Sequence, residues 1–223
     1  MKKFYLYTIT LLIGACLSLT GCGSDKKEIL TTTETFLQSA MDCDVETVSK
    51  YCNETVLTNL GLKSISPEYA ETVIYESMQV DKNALSEASQ MAVSEFCTYY
   101  SNNIIQNFTV GEVTLEDGIG SVNATVTTYS QDALLALSGD EFQTELSSLM
   151  TTYQEEHMDE LISVNINEGN EAMMNKLFDD LMPEIMGIMK KSYDSYTPED
   201  VNITFTLEKQ NDIWMITNAT LVQ

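Results

Sequence analysis

Arginine is absent from this 223-residue sequence, and histidine occurs once, at His157. All 11 basic residues are therefore lysines, and they face 34 acidic residues, which gives a formal net charge of −23 at pH 7. Such a chain repels polyanions, and it has no guanidinium group for bidentate contacts to phosphate. Nucleic acid is therefore not expected as a partner, and charge alone is not expected to hold the protein on anionic headgroups.

Cysteine is also scarce, with three residues beyond position 22: Cys43, Cys52 and Cys97. An odd number permits at most one bridge, and Cys43 and Cys52 are close enough in sequence to join neighbouring helices. The alternative is three buried thiols that act as small apolar side chains. We favour the thiols, because disulfide frameworks usually use every cysteine. No Cys-x-x-Cys or Cys/His spacing indicates zinc.

The motifs of common catalytic sites are missing as well. The sequence has no Gly-x-Ser-x-Gly elbow, His-Glu-x-x-His pair, phosphate loop or dinucleotide fingerprint. His157 and Glu160 could approach one cation on a helix, but no further ligand is identified, so a solvated helix face is the favoured interpretation. We expect no metal site, no cofactor and no enzymatic activity, since no acid–base pair is matched.

The N-terminus carries the most informative pattern that is present. Two lysines precede an uncharged stretch over residues 4–19, and residues 19–22 read Leu-Thr-Gly-Cys. This layout resembles a bacterial lipoprotein signal, in which a diacylglyceryl chain is attached to the cysteine thiol. The resemblance implies a signal peptide over residues 1–21 and lipidation of Cys22. It places the mature protein on the outer face of the cytoplasmic membrane.

Cleavage at this site leaves nine lysines against 34 acidic residues, a formal net charge of −25. The lipid must therefore supply most of the membrane attachment, and two acyl chains give stable anchoring where one does not. Cys16 belongs to a second, poorer motif inside the apolar run. The polar residues 22–27 are expected to form a short flexible tether.

Helical periodicity begins at residue 28 and continues in several segments. Apolar residues recur on one face up to residue 41, and Asp44 is placed to cap a second helix. Residues 67–76 and a longer segment over residues 85–104 show the same spacing.

Two stretches change to a period of two, which is typical of half-buried strands. Residues 108–115 and 122–128 flank a Glu-Asp-Gly turn, and residues 201–207 and 213–222 flank a Gln-Asn-Asp turn. Both pairs are predicted to be β-hairpins. In the last strand, the spacing from Ile216 to Leu221 predicts a bulge or a shift of face.

Residues 131–195, between the hairpins, predict two helices, one over about 131–163 and one over about 170–195. Pro183 and Gly187 predict that the second helix kinks or splits. The segment is rich in methionine, a flexible residue common on adaptable binding surfaces. Ordinary core packing is the favoured role, and an apolar groove is the alternative. The groove would be formed by Met173, Met182, Met186 and Met189.

Two segments resemble NTF2-like (cystatin-like) domains. Residues 35–46 are similar to the family's opening helix, break and second helix, and residues 201–216 are similar to its closing hairpin, where a tryptophan precedes a hydrophobic strand. Lipoproteins of this build, many with domains of unknown function, are familiar from Gram-positive bacteria. The resemblance implies an α+β fold, with a curved antiparallel sheet wrapped around N-terminal helices. It implies one domain over residues 28–223, with residues 131–195 as a helical insertion.

Three functional hypotheses follow. The first is a membrane-anchored, non-enzymatic module that binds an apolar small molecule or peptide, with a cavity beneath Phe205 and Trp214. The second is a protein–protein scaffold or accessory subunit of a cell-envelope complex, with a filled cone. The third is an NTF2-like pocket enzyme that uses an aspartate with tyrosines. The sequence identifies neither the ligand nor the oligomeric state.

Overall fold

The computed structural model describes residues 23–129 and 139–222. The signal sequence, Cys22 and the first residues of the predicted insertion lie outside this part of the chain. The described residues form helices and one four-stranded antiparallel sheet, which confirms the predicted α+β class.

The sheet has the strand order β1-β2-β3-β4 and consists of two hairpins. The strands are β1 (Ile105–Glu116), β2 (Ile119–Thr128), β3 (Glu199–Gln210) and β4 (Ile213–Val222). Each hairpin closes through two residues with positive φ, Asp117 and Gly118 in the first and Asn211 and Asp212 in the second. Two residues with positive φ match the right-handed twist of the flanking strands. Both predicted hairpins are confirmed.

Along the chain, helices precede the first hairpin and connect it to the second. They are α1 (residues 23–41), α2 (Val45–Tyr51), α3 (Glu54–Asn59), α4 (Pro67–Met78), α5 (Glu87–Ile104), α6 (Asp140–Glu156), α7 (Met158–Glu168) and α8 (Asn170–Asp194). Asp44 caps α2 as predicted, because its side chain accepts a hydrogen bond from the Thr47 N–H at 2.9 Å.

The predicted irregularity in the last strand is a β-bulge. Thr206 pairs with Asn218 but Leu207 pairs with Ile216, so Thr217 is the extra residue of β4. The junction between α2 and α3 contacts β4 at this point, since the main-chain N–H of Asn53, the N-cap of α3, donates to the Ile216 carbonyl at 3.1 Å. The bulge therefore lies where the chain between α2 and α3 contacts β4.

The chain divides into two compact units. Unit 1 comprises the described residues of Met1–Leu62, Phe108–Val126 and Val201–Gln223, and unit 2 comprises those of Lys63–Asn107 and Thr127–Asp200. In unit 1, Phe36 of α1 packs edge-to-face on Phe205, with ring centroids 5.6 Å apart. In unit 2, α4, α5, α6 and α8 contribute to one apolar cluster that contains Phe96, Leu177 and Ile185.

Three local features differ from the sequence-based expectations. Residues 23–27 lie in the first turns of α1 and do not form the expected tether, because Asp25 contacts Lys209 and Trp214. The first predicted insertion helix is broken at His157, whose φ of −114° and ψ of 15° are not helical. In contrast, α8 runs without a break through Pro183 and Gly187, so the predicted split is wrong.

Candidate functional site

The candidate site is an apolar groove between α5 and α8, within unit 2. It is partly open to solvent and has a volume of about 330 Å³. The buried side chains of Phe96 and Met186 form its floor. The remaining lining residues are Ala92, Glu95, Tyr99, Pro183, Gly187 and Lys190.

Pro183 is a helix-interior proline, and its position is stabilised by α5. A proline has no N–H, so the carbonyl four residues earlier, that of Asp179, loses its helical partner. The Ser89 hydroxyl donates to this carbonyl at 2.7 Å. The main-chain N–H of Ser86, the N-cap of α5, donates to the Asp179 carboxylate at 2.7 Å. These bonds fix the N-terminus of α5 beside the groove.

Gly187 lies one helical turn after Pro183 on the same face of α8. A Cβ atom built on Gly187 would meet nothing within 4 Å. The backbone packing therefore does not require glycine here, although glycine in a helix interior costs about 1 kcal/mol relative to alanine. The missing side chain leaves one wall of the groove open. Pro183 and Gly187, two residues with low helix propensity, thus both line the groove, one turn apart.

Charged and aromatic groups form one end of the groove. The ammonium of Lys190 lies 3.9 Å from the ring centroid of Tyr99 and 2.6 Å from the Asp194 carboxylate. The Tyr99 hydroxyl donates to that carboxylate, and this hydrogen bond raises the pKa of Tyr99 above its usual value. Partial burial alone would raise the pKa of Asp194, but the hydrogen bonds from Lys190 and Tyr99 hold it below its usual value. The carboxylate stays ionised and paired.

Only one of the four predicted groove methionines lines this groove. All of Met182, Met186 and Met189 are buried in the apolar cluster of unit 2, and of these Met186 also lines the groove. Met173 is half-buried. The expectation of ordinary core packing therefore describes Met182 and Met189. Sequence reasoning missed Pro183 and Gly187 as lining residues and treated them only as helix breakers.

Phe205 and Trp214, the residues predicted to lie above a ligand cavity, belong to the core of unit 1. Their exposed fractions are 0% and 3%. Phe205 packs on Phe36, and the Trp214 indole N–H donates to Asp25 at 3.4 Å. Both side chains therefore have packing partners, and the apolar groove lies elsewhere, in unit 2.

His157 lies in a polar cluster on the outside of unit 2. Its ring stacks on Tyr153 at 4.3 Å between centroids, and its Nδ1 is 3.4 Å from Glu160. Lys176 lies 3.1 Å from Glu160 and 2.8 Å from Asp180. Each carboxylate is paired with a cation, so the cluster joins α6, α7 and α8. Among residues 23–129 and 139–222, no group of three or more His, Cys, Asp or Glu residues could hold a metal ion.

Partial burial and hydrogen bonding set the titration of this cluster. Burial raises the pKa of Tyr153 to about 12, with a further contribution from its hydrogen bond to Asp180. The hydrogen bond from Lys176 holds the pKa of Glu160 below its usual value. At neutral pH the cluster is therefore a set of ion pairs and hydrogen bonds around a neutral phenol.

A second surface was not foreseen from the sequence. Met158, Ile162 and Ile166 follow one another at four-residue spacing along α7, with exposed fractions of 54%, 50% and 77%. Residues at this spacing form one ridge on a helix. Leu161, on a different face, is buried. The four-residue spacing of these apolar residues is visible in the sequence, but the sequence does not show which apolar face of α7 is buried.

Cys43, Cys52 and Cys97 are not bridged to one another, and Cys52 and Cys97 are buried as the favoured interpretation predicted, whereas Cys43 is half-buried. Burial raises the pKa of Cys52 to about 11 and that of Cys97 to about 12. Both thiols are therefore protonated at neutral pH and act as small apolar groups.

A smaller cavity of about 90 Å³ lies between α6 and α8. Its lining includes Phe142, Ile188 and the ion pair between Lys191 and Glu145, whose charged atoms are 2.6 Å apart. Ligand pockets usually measure about 300–1,000 Å³. This cavity is too small for such a ligand, whereas the groove between α5 and α8 falls within the range.

No helix in the described residues is long and apolar enough to cross a membrane.

No family model matches the chain, and neither does any curated protein. A crystal structure of a candidate lipoprotein from Bacillus subtilis, ycdA, is similar, with 11% sequence identity and a TM-score of 0.34. The match covers 75% of this chain and 44% of that protein, so the chain spans less than half of its neighbour. That TM-score does not establish a shared fold, and the resemblance to NTF2-like domains stays a prediction.

Proposed function

We propose that this protein is an extracytoplasmic lipoprotein, anchored through Cys22, whose groove between α5 and α8 binds an apolar peptide segment of a partner protein without catalysis. The observation that carries the proposal is the groove itself. Its floor is apolar, and α8 keeps Pro183 and Gly187 beside it although neither is a favourable helix residue.

The shape of the groove favours a peptide over a small molecule. Small-molecule sites enclose about 70–90% of their ligand's surface. A groove that is partly open to solvent does not enclose a ligand in this way. It does accept the apolar face of a helix or an extended segment, as helix-in-groove complexes do.

The charge of the chain favours a cationic partner. The mature sequence carries a formal net charge of −25, and Glu95 lies exposed on the edge of the groove. A field of one sign raises the association rate of an oppositely charged partner and disfavours a second copy of the same chain. The occupant is therefore a lysine- or arginine-bearing amphipathic segment, and its binding weakens as salt is added.

Titration of a probe peptide tests the groove. The probe is a 15-residue helix of leucine and lysine, with leucines at positions i, i+3, i+4 and i+7, and the receptor is the chain from residue 23 onward. In Gly187→Phe the new ring projects into the groove, and we expect the affinity to fall at least about tenfold. Gly187→Ala is the matched control and should bind within about twofold of wild type. Equal affinity for wild type and Gly187→Phe would contradict the proposal.

Metabolic labelling with palmitate tests the anchor. Wild type and Cys16→Ala should incorporate label and float with membranes, whereas Cys22→Ala should do neither, because the lipidated thiol is gone. Label that persists in Cys22→Ala would show that another residue is modified and would end this part of the proposal.

A second candidate, a scaffold within a cell-envelope complex, is favoured by one observation. The exposed apolar ridge of α7, formed by Met158, Ile162 and Ile166, offers a partner protein a contact about two helical turns long. In that case Ile162→Asp would abolish partner capture and Gly187→Phe would not. The groove proposal predicts the reverse.

A further inference from the structure

The inference concerns the membrane-facing end of unit 1, and it rests on the proposed lipidation of Cys22. Residue 23 is already helical, so the peptide bond after Cys22 leads directly into α1. Consecutive Cα atoms are about 3.8 Å apart, so the acylated residue lies within one peptide unit of the helix start whatever its own conformation. No linker separates the anchor from α1.

The start of α1 is in turn attached to the β3–β4 hairpin. Asp25 accepts hydrogen bonds from the Lys209 ammonium at 2.9 Å and from the Trp214 indole at 3.4 Å. Lys209 and Trp214 are a cross-strand pair next to the turn, and the Lys209 ammonium also lies 3.6 Å from Glu28. The first turns of α1 and this turn therefore form one connected end of unit 1.

The β1–β2 turn lies at the same end. The side chain of Thr125 in β2 is hydrogen-bonded to that of Asn202 in β3, and the side chain of Asn123 is hydrogen-bonded to that of Thr204. Strands β2 and β3 therefore run antiparallel, and the turns of both hairpins lie at the same end of the sheet. A Cβ on Gly120 would come within 2.6 Å of Ile29, which places this turn close to the first part of α1.

Each hairpin turn exposes an isoleucine. Ile119, directly after the first turn, is 47% exposed, and Ile213, directly after the second, is 54% exposed. Two large aliphatic side chains thus face solvent at the end of the sheet from which the lipid emerges.

We propose that this end of unit 1 is a membrane-seating surface, in which Ile119 and Ile213 enter the headgroup region and hold unit 1 in one orientation on the bilayer. The acyl chains bring this end to the membrane, and the short connection to α1 keeps it there. Apolar side chains at the interface add buried area to that of the lipid.

The contact is apolar and not electrostatic. Asp117 and Asp212 lie in the two turns, and Lys209 is paired with Asp25. Seating should therefore occur on neutral phosphatidylcholine vesicles and should not require anionic lipid. The surface also orients the chain without a long tether, in contrast to the sequence-based expectation for residues 22–27.

Fluorescence quenching on vesicles tests the proposal with the full acylated chain. An NBD label is placed at Ile213→Cys or, as a matched control, at Leu221→Cys, which is 61% exposed at the opposite end of the same hairpin. Cys43→Ser removes the half-buried thiol from both variants. Quenching by headgroup-labelled phosphatidylcholine should be at least about threefold greater at position 213, since interfacial groups lie within the headgroup layer.

A linker variant separates seating from anchoring. Twelve Gly/Ser residues inserted after Cys22 add a mean reach of about 19 Å, so quenching at position 213 should fall to the level of position 221. Flotation is measured on every sample. If the protein floats but NBD is quenched equally at both positions, the seating surface is overturned and the anchor stands. The same conclusion follows if the linker does not change the quenching at position 213. A protein that does not float overturns the proposed anchor and the seating surface together.

Discussion

The Ser89 hydroxyl donates a 2.7 Å hydrogen bond to the main-chain carbonyl of Asp179, which Pro183 leaves without a helical partner. Ser89 and Asp179 are 90 residues apart in the sequence, and Ser89 is 1% exposed. A side chain of α5 thus completes the hydrogen bonding of α8 beside the groove. This relationship explains how α8 continues through a proline that would otherwise end it.

Ser89→Ala should destabilise unit 2 by about 1–2 kcal/mol, because the Asp179 carbonyl is left without a partner in a partly buried position. Urea denaturation followed by circular dichroism measures the change. Thr72→Ala is a control, since its hydroxyl donates to a main-chain carbonyl within an exposed turn of α4, and the change should be smaller.

Pro183→Ala should rescue Ser89→Ala, because alanine restores the N–H that bonds to the Asp179 carbonyl in a regular helix. In the wild-type background the same change should stabilise the protein by about 1–3 kcal/mol, since proline is disfavoured by about 3 kcal/mol in a helix interior. A double-mutant cycle measures the coupling. Strict additivity of the two changes would contradict the shared carbonyl.

Asn53 should contribute twice to unit 1. Its side-chain oxygen accepts from the Val56 N–H at 2.9 Å as the cap of α3, and its amide nitrogen donates to the Thr217 carbonyl in the bulge at 2.9 Å. Asn53→Ala should cost about 2–3 kcal/mol in the free energy of unfolding, and Asn53→Asp, which keeps only the cap, about 1 kcal/mol. An unchanged free energy of unfolding for Asn53→Asp in urea denaturation would show that the bulge contact contributes nothing, and equal losses for the two variants would show the same of the cap.

Acid should weaken unit 2 through Asp179. Partial burial alone would raise the pKa of Asp179, but hydrogen bonding at the N-terminus of α5, including the bond from the Ser86 N–H, holds it below its usual value of 3.8. A lowered folded pKa stabilises the protein above the unfolded value, and the stabilisation is lost as pH falls through the folded pKa. Below about pH 4, the Tm of Asp179→Asn should therefore decline less steeply than that of wild type. Parallel declines in Tm would exclude this role.

The thiols should differ in reactivity. Cys43 is half-buried, whereas burial raises the pKa of Cys52 to about 11 and that of Cys97 to about 12. Because the thiolate is the reactive form, iodoacetamide at pH 8 should modify Cys43 first and the other two only after unfolding. Mass spectrometry of timed digests gives the order. Rapid modification of Cys97 in the folded protein would contradict its burial.

The local parts of the fold were predictable from the sequence. Alternating apolar residues and turn dipeptides indicated both hairpins, and the spacing from Ile216 to Leu221 indicated the bulge, because a strand has a period of two. Helix caps such as Asp44 depend on residues only three positions away. Each of these signals lies within a short stretch of chain.

The groove and the continuity of α8 were not predictable in this way. They depend on Ser89, Asp179 and Pro183 meeting across two helices that are far apart in the sequence. The first turns of α1 were expected to form a tether. The contact that orders them could not be read from the local sequence, because it comes from Lys209 and Trp214 near the other end of the chain. Periodicity also could not distinguish buried Met182 from half-buried Met173 on the same helix.

The most direct test of the binding account is a titration of isotope-labelled protein with the leucine–lysine peptide, followed by amide chemical shifts. The account predicts saturable shifts that cluster on the groove-lining stretches of α5 and α8, at Ala92, Glu95, Phe96, Gly187 and Lys190. Shifts confined to Met158, Ile162 and Ile166 would instead place the partner on α7. That result, or the absence of any saturable shift on α5 and α8, would contradict the account.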